Sequence, residues 1–408
     1  MNGEYDVVIA GGGLVGAALG VALADCGQRV AVVEAFAPTD SQPSFDDRAT
    51  ALAMTSVDIL RTLDLWPDDE QVCAIRTIHV SDRGRFGSTR MHTHQHGVQA
   101  FGYVIENRVM GDVLWRALDA SDVDVFCPAR IEAATPQVGG VALKLDGAGA
   151  RLDTGLLVVA EGALSATRAL LDIDVETSSY ERTALVTNIA TEKPHAGRAF
   201  ERFTSDGPLA VLPLSRGRSN VVWSVPTAQA EPLIDDDDAF RGALQEAFGY
   251  RLGRITQVGT RSRYPLARAI AQQLHGDHWV LVGNAAHAVH PVAGQGLNLG
   301  LRDMASLAEL IVQRDGGGWP ELLARYAAWR APDHRQVLRM TDSLVKVFAH
   351  SAAPVGAARD AALIALQMLP PVRRWFARRS MGYRDALPRL ARGVPLSPRP
   401  AVPSGAGE

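Results

Sequence analysis

The stretch that decides the fold is residues 5–34, YDVVIAGGGLVGAALGVALADCGQRVAVVE. Tyr5 to Ala10 is a short apolar, β-branched run stopped by glycine, the pattern of a strand buried in a parallel sheet. Gly11, Gly13 and Gly16 then occupy the three positions of G-x-G-x-x-G. The first glycine permits a tight turn, the second lets a pyrophosphate approach the backbone, and the third lets the next helix pack on the strand. The spacing predicts that helix over Leu14 to Asp25, with Leu14 and Val15 in its first turn, where free N–H groups and the dipole meet phosphate. Cys26-Gly27 ends it, Arg29 to Val33 forms the second strand, and Glu34 closes that strand 23 residues beyond Gly11. A carboxylate there accepts hydrogen bonds from an adenosine ribose and disfavours a 2′-phosphate, so the ligand is FAD or NAD rather than NADP.

The composition of the chain fits an ordinary soluble globular protein, and its length allows two domains or one large elaborated one. It has 408 residues, 47% hydrophobic and 21% charged, with a net charge of −4 that argues against nucleic acid as a partner. Only three of 41 basic residues are lysine (Lys144, Lys193, Lys346), an arginine bias of the kind a GC-rich genome gives. Cys26, Cys73 and Cys127 are widely spaced and odd in number, which suits a reducing cytosol better than a disulfide framework. The opening MNGEYDVVIA lacks the basic start of a signal peptide. No apolar run reaches the roughly 18 residues of a membrane span, so the expectation is a cytoplasmic protein whose membrane contact is peripheral.

A second informative stretch, HWVLVGNAAHAVHPVAGQGLNLGLRD, covers residues 278–303. His278 to Asn284 reads as another strand, and a helix with apolar spacing at Leu297, Leu301, Met304, Leu307, Leu310 and Ile311 begins near Gly294–Gly296. Glycines at a helix start leave N–H groups and positive potential open to close approach. A reduced isoalloxazine, negative around N1 and O2, needs such a surface, which favours FAD. His287 and His290 lack an evident third ligand in the sequence, so the expectation is no metal and a backbone cradle.

With GGGLVG at 11–16, EGALSATR at 161–168 and GNAAHAVHPVAGQGLNLGLRD at 283–303, the chain resembles the one-FAD aromatic-ring hydroxylases, the para-hydroxybenzoate hydroxylase superfamily. Within it the chain is most similar to the ubiquinone-biosynthesis hydroxylases, and HPVAGQG to the branch acting on 2-polyprenyl-6-methoxyphenol. The resemblance implies that Gly283 and Asn284 meet the ribityl and pyrophosphate part of FAD. It implies that Pro291 flanks the reactive side of the flavin, with Gly294, Gln295, Gly296, Leu297 and Asn298 around the pyrimidine edge. Arg48, in FDDRATALAM, and Arg108, in ENRVMGDVLW, match family arginines at the flavin. The family usually has Asp at Asn284 and Asp-Gly at Glu161-Gly162; this chain departs at both.

The implied chemistry is NAD(P)H reduction of FAD, O2 activated at flavin C4a, and attack by an electron-rich, lipophilic polyprenyl phenol. Other ubiquinone-biosynthesis proteins are the implied partners. No catalytic base is named by the sequence. The alternatives are a hydroxylase for another ring position or a soluble phenol, and a largely non-catalytic flavoprotein subunit of a quinone-synthesis complex.

The fold expected is α/β: a Rossmann-like FAD-binding domain (1–75, 100–180 and 265–345), a mixed β-sheet substrate domain (76–99 and 181–264) and a C-terminal helical part (346–393), with a disordered tail at 394–408. MHTHQH at 91–96 alternates His92, His94 and His96 on one strand face, read as a solvent face or hairpin bend rather than a metal site. NVVWSVP at 220–226 has one tryptophan of a two-tryptophan flavin-halogenase motif, and no lysine precedes Lys144, which disfavours that activity. Between 351 and 393, Leu363, Leu366, Met368, Leu369, Trp375 and Phe376 alternate with Arg373, Arg374, Arg378 and Arg379. That pattern fits a helical layer packed on the FAD domain or a peripheral contact with an anionic inner membrane face.

Overall fold

The computed structural model describes residues 2–24, 26–37, 48–146, 149–288, 294–349, 353–384 and 386–396. Its first sheet is built on the glycine-rich unit. Strands Asp124–Phe126, Val30–Val33, Asn2–Ala10, Arg151–Val159 and Trp279–Leu281 lie side by side and parallel, in that order. A hairpin, Ile131–Gln137 and Gly140–Leu145, pairs antiparallel with the first half of Arg151–Val159. Because the five strands are parallel, all their carboxyl ends emerge on one edge, where ligands of open α/β sheets bind. Val7, Ile9, Val32 and Val158 pack on one face against helices Leu14–Leu23, Asn107–Asp119 and Gln295–Val312. Val8, Ala31, Leu157 and Val159 form a second core on the other face. Burial on both faces explains why these strands read as continuous apolar runs.

The second sheet has nine strands and is antiparallel except where Arg198–Thr204 runs parallel to Thr77–Asp82. It takes in Val175–Thr191 and Ser262–Ala271, so it extends past the limits 181 and 264 expected from sequence. Alternation gives each strand an outer and an inner side. Leu185, Phe200, Leu209, Val211, Val221 and Trp223 turn outward onto helix Asp237–Phe248. The inner residues are described with the site.

The C-terminal region is helical: Trp319–Ala349, which crosses the expected boundary at 345, then Ala353–Met368 and Pro370–Ser380. Among the described residues no helix is long and apolar enough to cross a membrane. Asp360 and Gln367 fasten Ala353–Met368 to the sheet hairpin at Gly87, Thr89 and Arg90. One expectation changes here. The strand face of MHTHQH stops at His92; Thr93–Gln95 is a 3-10 turn, which stacks His94 on His92 and sends His96 edge-on to Phe101. Trp223, the halogenase-like residue, is core packing against Phe240.

Candidate active site

A single cavity of about 2230 Å³ runs from the carboxyl edge of the parallel sheet to the inner face of the second sheet. Small-ligand sites typically occupy roughly 300–1,000 Å³, so this volume has room for a dinucleotide and a second molecule together.

At one end lie Gly11, Gly13, Leu14, Val15, Glu34, Phe36 and Arg130. A Cβ on Gly16 would stand 1.9 Å from the Gly11 carbonyl oxygen, and one on Gly11 2.9 Å from the Ala160 backbone. Gly16 itself is buried and does not line the cavity; its role is the close packing of helix on strand. Gly13 caps Leu14–Leu23 in extended conformation with no side-chain cap, so the first-turn N–H groups remain open to a ligand. The Glu34 carboxylate is held in place by Gly12 N–H at 2.6 Å and Phe36 N–H at 2.9 Å, and each of its oxygens keeps further acceptor capacity. Arg130 lies over the Phe36 ring, a flat cationic surface that the sequence reading did not find.

Midway, the lining is Arg48, Asn107, Glu161, Asn284 and Gly294, Gln295, Gly296, Leu297 and Asn298. Gly294 caps helix Gln295–Val312 in the left-handed region (φ 59°), again without a side-chain cap. The Asn298 amide is fully used by protein: it accepts from Ala53 N–H and Ser56 Oγ and donates to the carbonyls of Ala51 and Gly294. It therefore shapes the cradle and leaves backbone to touch a ligand. Arg48 reaches over the Tyr264 ring at 4.8 Å. Glu161 folds onto its own turn, accepting from Ser165 Oγ, Thr167 N–H and Thr167 Oγ1, while Arg168 donates to Ala163 and Ala285.

Two sequence assignments move, and a third lies beyond the described residues. Arg108 is exposed outside the lining; one residue along a helix is a large rotation, and its neighbour Asn107 faces the cavity instead. Gly283 is buried at φ 59° beside Gly300 and Val15, so it serves close packing while Asn284 faces the cavity. Pro291 and His290 fall outside the described residues.

His287 has partners that no local reading could supply. Its Nε2 lies 3.1 Å from Asp303 Oδ2, and Asp303 Oδ1 takes His334 Nε2 and Arg330 Nε at 2.7 Å each. Asp333 is shared by Arg302, Arg330 and Arg384. Burial alone pushes the Asp303 carboxyl up, but His334, Arg330 and His287 outweigh it and hold the group well below the carboxylate range. His287, Asp303 and His334 have the donor set of a metal site. A divalent cation there would meet the Arg330 guanidinium at the same oxygen, so the geometry fits an ion-pair knot that ties the helix Gln295–Val312 to Trp319–Ala349 and to the strand after Asn284.

The far half of the cavity is mostly apolar, with Gln336, Arg359, Arg379, Ser380 and Arg384 at its C-terminal wall. Ala184, Val186, Ala199, Phe203, Ala210, Leu212, Val222 and Leu266 form the sheet floor, and Leu363, Leu366 and Phe376 close it from the C-terminal helices. Thr177 and Tyr264 add hydroxyls to that floor, and Glu201 is its charged residue among those described. Beyond it, Trp375 both lines the cavity and is 58% exposed, within a surface of Ile364, Met368, Leu369 and Val372.

A family model described as FAD binding domain matches residues 4–341. Ubiquinone hydroxylase UbiL of Rhodospirillum rubrum is 36% identical, over 96% of this chain and 93% of its own. The 3-demethoxyubiquinol 3-hydroxylase of Escherichia coli is 29% identical, over 93% and 99%. Among solved structures, p-nitrophenol 4-monooxygenase PnpA from Pseudomonas putida shares the fold at TM-score 0.78 and 19% identity, covering 95% of this chain and all of its own. PqsL of Pseudomonas aeruginosa, a probable FAD-dependent monooxygenase, superposes at TM-score 0.74 with 25% identity, covering 88% and 99%.

Proposed function

This chain belongs to the FAD-dependent monooxygenase family of the ubiquinone-biosynthesis hydroxylases, and from that premise we propose that it hydroxylates the ring of a polyprenyl phenol, 2-polyprenyl-6-methoxyphenol. The bound FAD, reduced by NAD(P)H, supplies the oxygen activation. The residues of the chain supply position and dryness. The open N-termini of Leu14–Leu23 and Gln295–Val312 offer N–H groups to the pyrophosphate and to the pyrimidine edge of the flavin ring. Glu34 would hold the ribose, Asn284 a ribityl hydroxyl, and Arg48 the flavin end of the site. The alanine, valine and leucine floor keeps water from the reacting ring.

The observation that carries the substrate class is the continuity of the apolar half of the cavity with an exposed apolar surface. Ile364, Met368, Leu369, Val372 and Trp375 are 42–70% exposed, beside Arg373, Arg374, Arg378 and Arg379. A prenyl tail can follow Phe376, Leu366 and Trp375 outward while the headgroup stays inside. The arginines suit an anionic lipid surface, so the protein works peripherally on the inner membrane face, with other ubiquinone-biosynthesis proteins as its partners.

Deleting the gene in its host and measuring extracted quinone precursors by mass spectrometry tests this. Accumulation of 2-polyprenyl-6-methoxyphenol is expected. A different stalled phenol would reassign the ring position, and unchanged quinone, also in a double deletion with any second hydroxylase, would overturn the reading.

A further inference from the structure

Among the described residues, the strands of the second sheet line the cavity with apolar side chains, the hydroxyls of Thr177 and Tyr264, and one charged group, Glu201. On Arg198–Thr204, Ala199, Glu201 and Phe203 turn inward, while Phe200 packs outward in the second sheet's core. Glu201 stands opposite Ala210 on one neighbouring strand and beside Val80 on the other. The charged groups nearby are engaged elsewhere. His79, Arg198 and Arg202 share the outer side with Phe200; Arg202 donates to Ser81 and Ala247. Across the cavity, Arg359 pairs with Asp82 at 3.0 Å, and Asp360 accepts from Gly87 and Arg85. Among the described residues Glu201 has no hydrogen-bond or ion-pair partner.

A carboxylate on an apolar wall, without a donor, is an expensive feature for a fold to keep. It can be satisfied by a donor that arrives with a ligand, and on the reading above that ligand brings a phenolic hydroxyl. We propose that Glu201 is a catalytic residue: it accepts a hydrogen bond from the substrate hydroxyl and takes its proton as the ring is oxygenated. The phenolic O–H bond breaks and an O–H bond forms on the Glu201 carboxylate. The electron pair stays on the phenolate oxygen and is delivered into the ring, which becomes the stronger nucleophile. The flavin, O2 and NAD(P)H of the family reaction supply the oxidation, so only the proton passes to Glu201. Burial has already pushed the Glu201 carboxyl up to about 7. That brings it nearer a phenol at roughly 10, and matched groups exchange protons most readily.

This inference rests on an aromatic hydroxylase reading, and the experiment separates the two. FAD-loaded wild type, Glu201→Gln and Glu201→Asp are compared between pH 5.5 and 9 with short-tailed 2-methoxyphenols. NAD(P)H oxidation, hydroxylated product and flavin content are measured, and phenol binding is followed through the flavin absorbance. The wild type should lose kcat/KM as pH falls below about 7, because the base must be ionised. Glu201→Gln should keep its flavin, lose about 10²- to 10⁴-fold in kcat/KM and lose that acid limb; Glu201→Asp should restore the limb at a reduced rate. A Gln variant with the wild-type rate, or a slower one with the wild-type limb, overturns the proposal. If the wild type turns over no phenol, the substrate reading falls, and the binding titration decides for Glu201: identical pH dependence of phenol binding in wild type and Glu201→Gln overturns it.

Discussion

Asp303 sits within helix Gln295–Val312 with Arg330, His334 and His287 arranged on its two oxygens, whereas Glu201 sits on the sheet floor of the cavity with alanine, valine and phenylalanine around it. Asp303 is fully buried and Glu201 partly so, and desolvation pushes both toward the neutral form. In Asp303 the cationic partners win and the group stays ionised; in Glu201 nothing opposes burial and the carboxyl rises to about 7. Burial therefore does not set charge; the partners do. The first arrangement fixes a scaffold, and the second leaves a group able to change its proton during turnover.

The largest effect should come from unpairing the scaffold. Arg330→Met leaves Asp303 and Asp333 short of a buried cation and should cost about 3–5 kcal/mol, read as a lower urea midpoint. A loss under about 1 kcal/mol would show that the knot is not what holds the three elements together. Next, Glu201→Gln should stabilise the protein at pH 8 by on the order of 1–2 kcal/mol. The sign follows from the raised carboxyl. Between the usual 4.5 and about 7 the folded state binds more protons than the unfolded, so wild-type stability falls as pH rises through that window. The gap in Tm between variant and wild type should be widest above pH 7 and shrink toward pH 4.5. Asp303 has the opposite slope, its contribution being lost as pH falls through its lowered value.

Supplying a partner should convert one carboxylate toward the other. Ala210→Lys, directly across from Glu201, should move the acid limb of kcat/KM down by about one unit, roughly 1.4 kcal/mol. An unmoved limb would mean that it belongs to another group. The smallest effect is at the surface: Arg374→Gln should weaken sedimentation with phosphatidylglycerol vesicles by about 1 kcal/mol, less at high salt, with kcat on soluble phenols unchanged. Equal binding to neutral phosphatidylcholine vesicles would remove the electrostatic part of the docking argument.

Legibility from sequence followed the range of the interactions involved. The strand, turn, helix and acid of residues 5–34 are local, so their order was readable from hydropathy period and glycine spacing. The helix Gln295–Val312 was readable for the same reason, including its uncapped glycine start. Local reading erred where one rotation decides the outcome. Arg108 points outward because Asn107 points in, and His94 left the strand face because the chain turned after His92. Asn298 lines the cavity, but three of the four hydrogen bonds of its amide go to residues more than 240 positions away.

By itself, the sequence determined a dinucleotide-binding α/β unit, a second glycine-opened helix suited to flavin, and a basic apolar C-terminal stretch. Each is written in consecutive residues whose propensities and spacing act over a few ångströms. Only the tertiary structure decided that His287 meets Asp303 and His334, and that Glu201 is, among the described residues, the one charged side chain on the floor that the second sheet forms. Those facts depend on which distant side chains share a small volume away from water, where the presence or absence of a partner sets the proton.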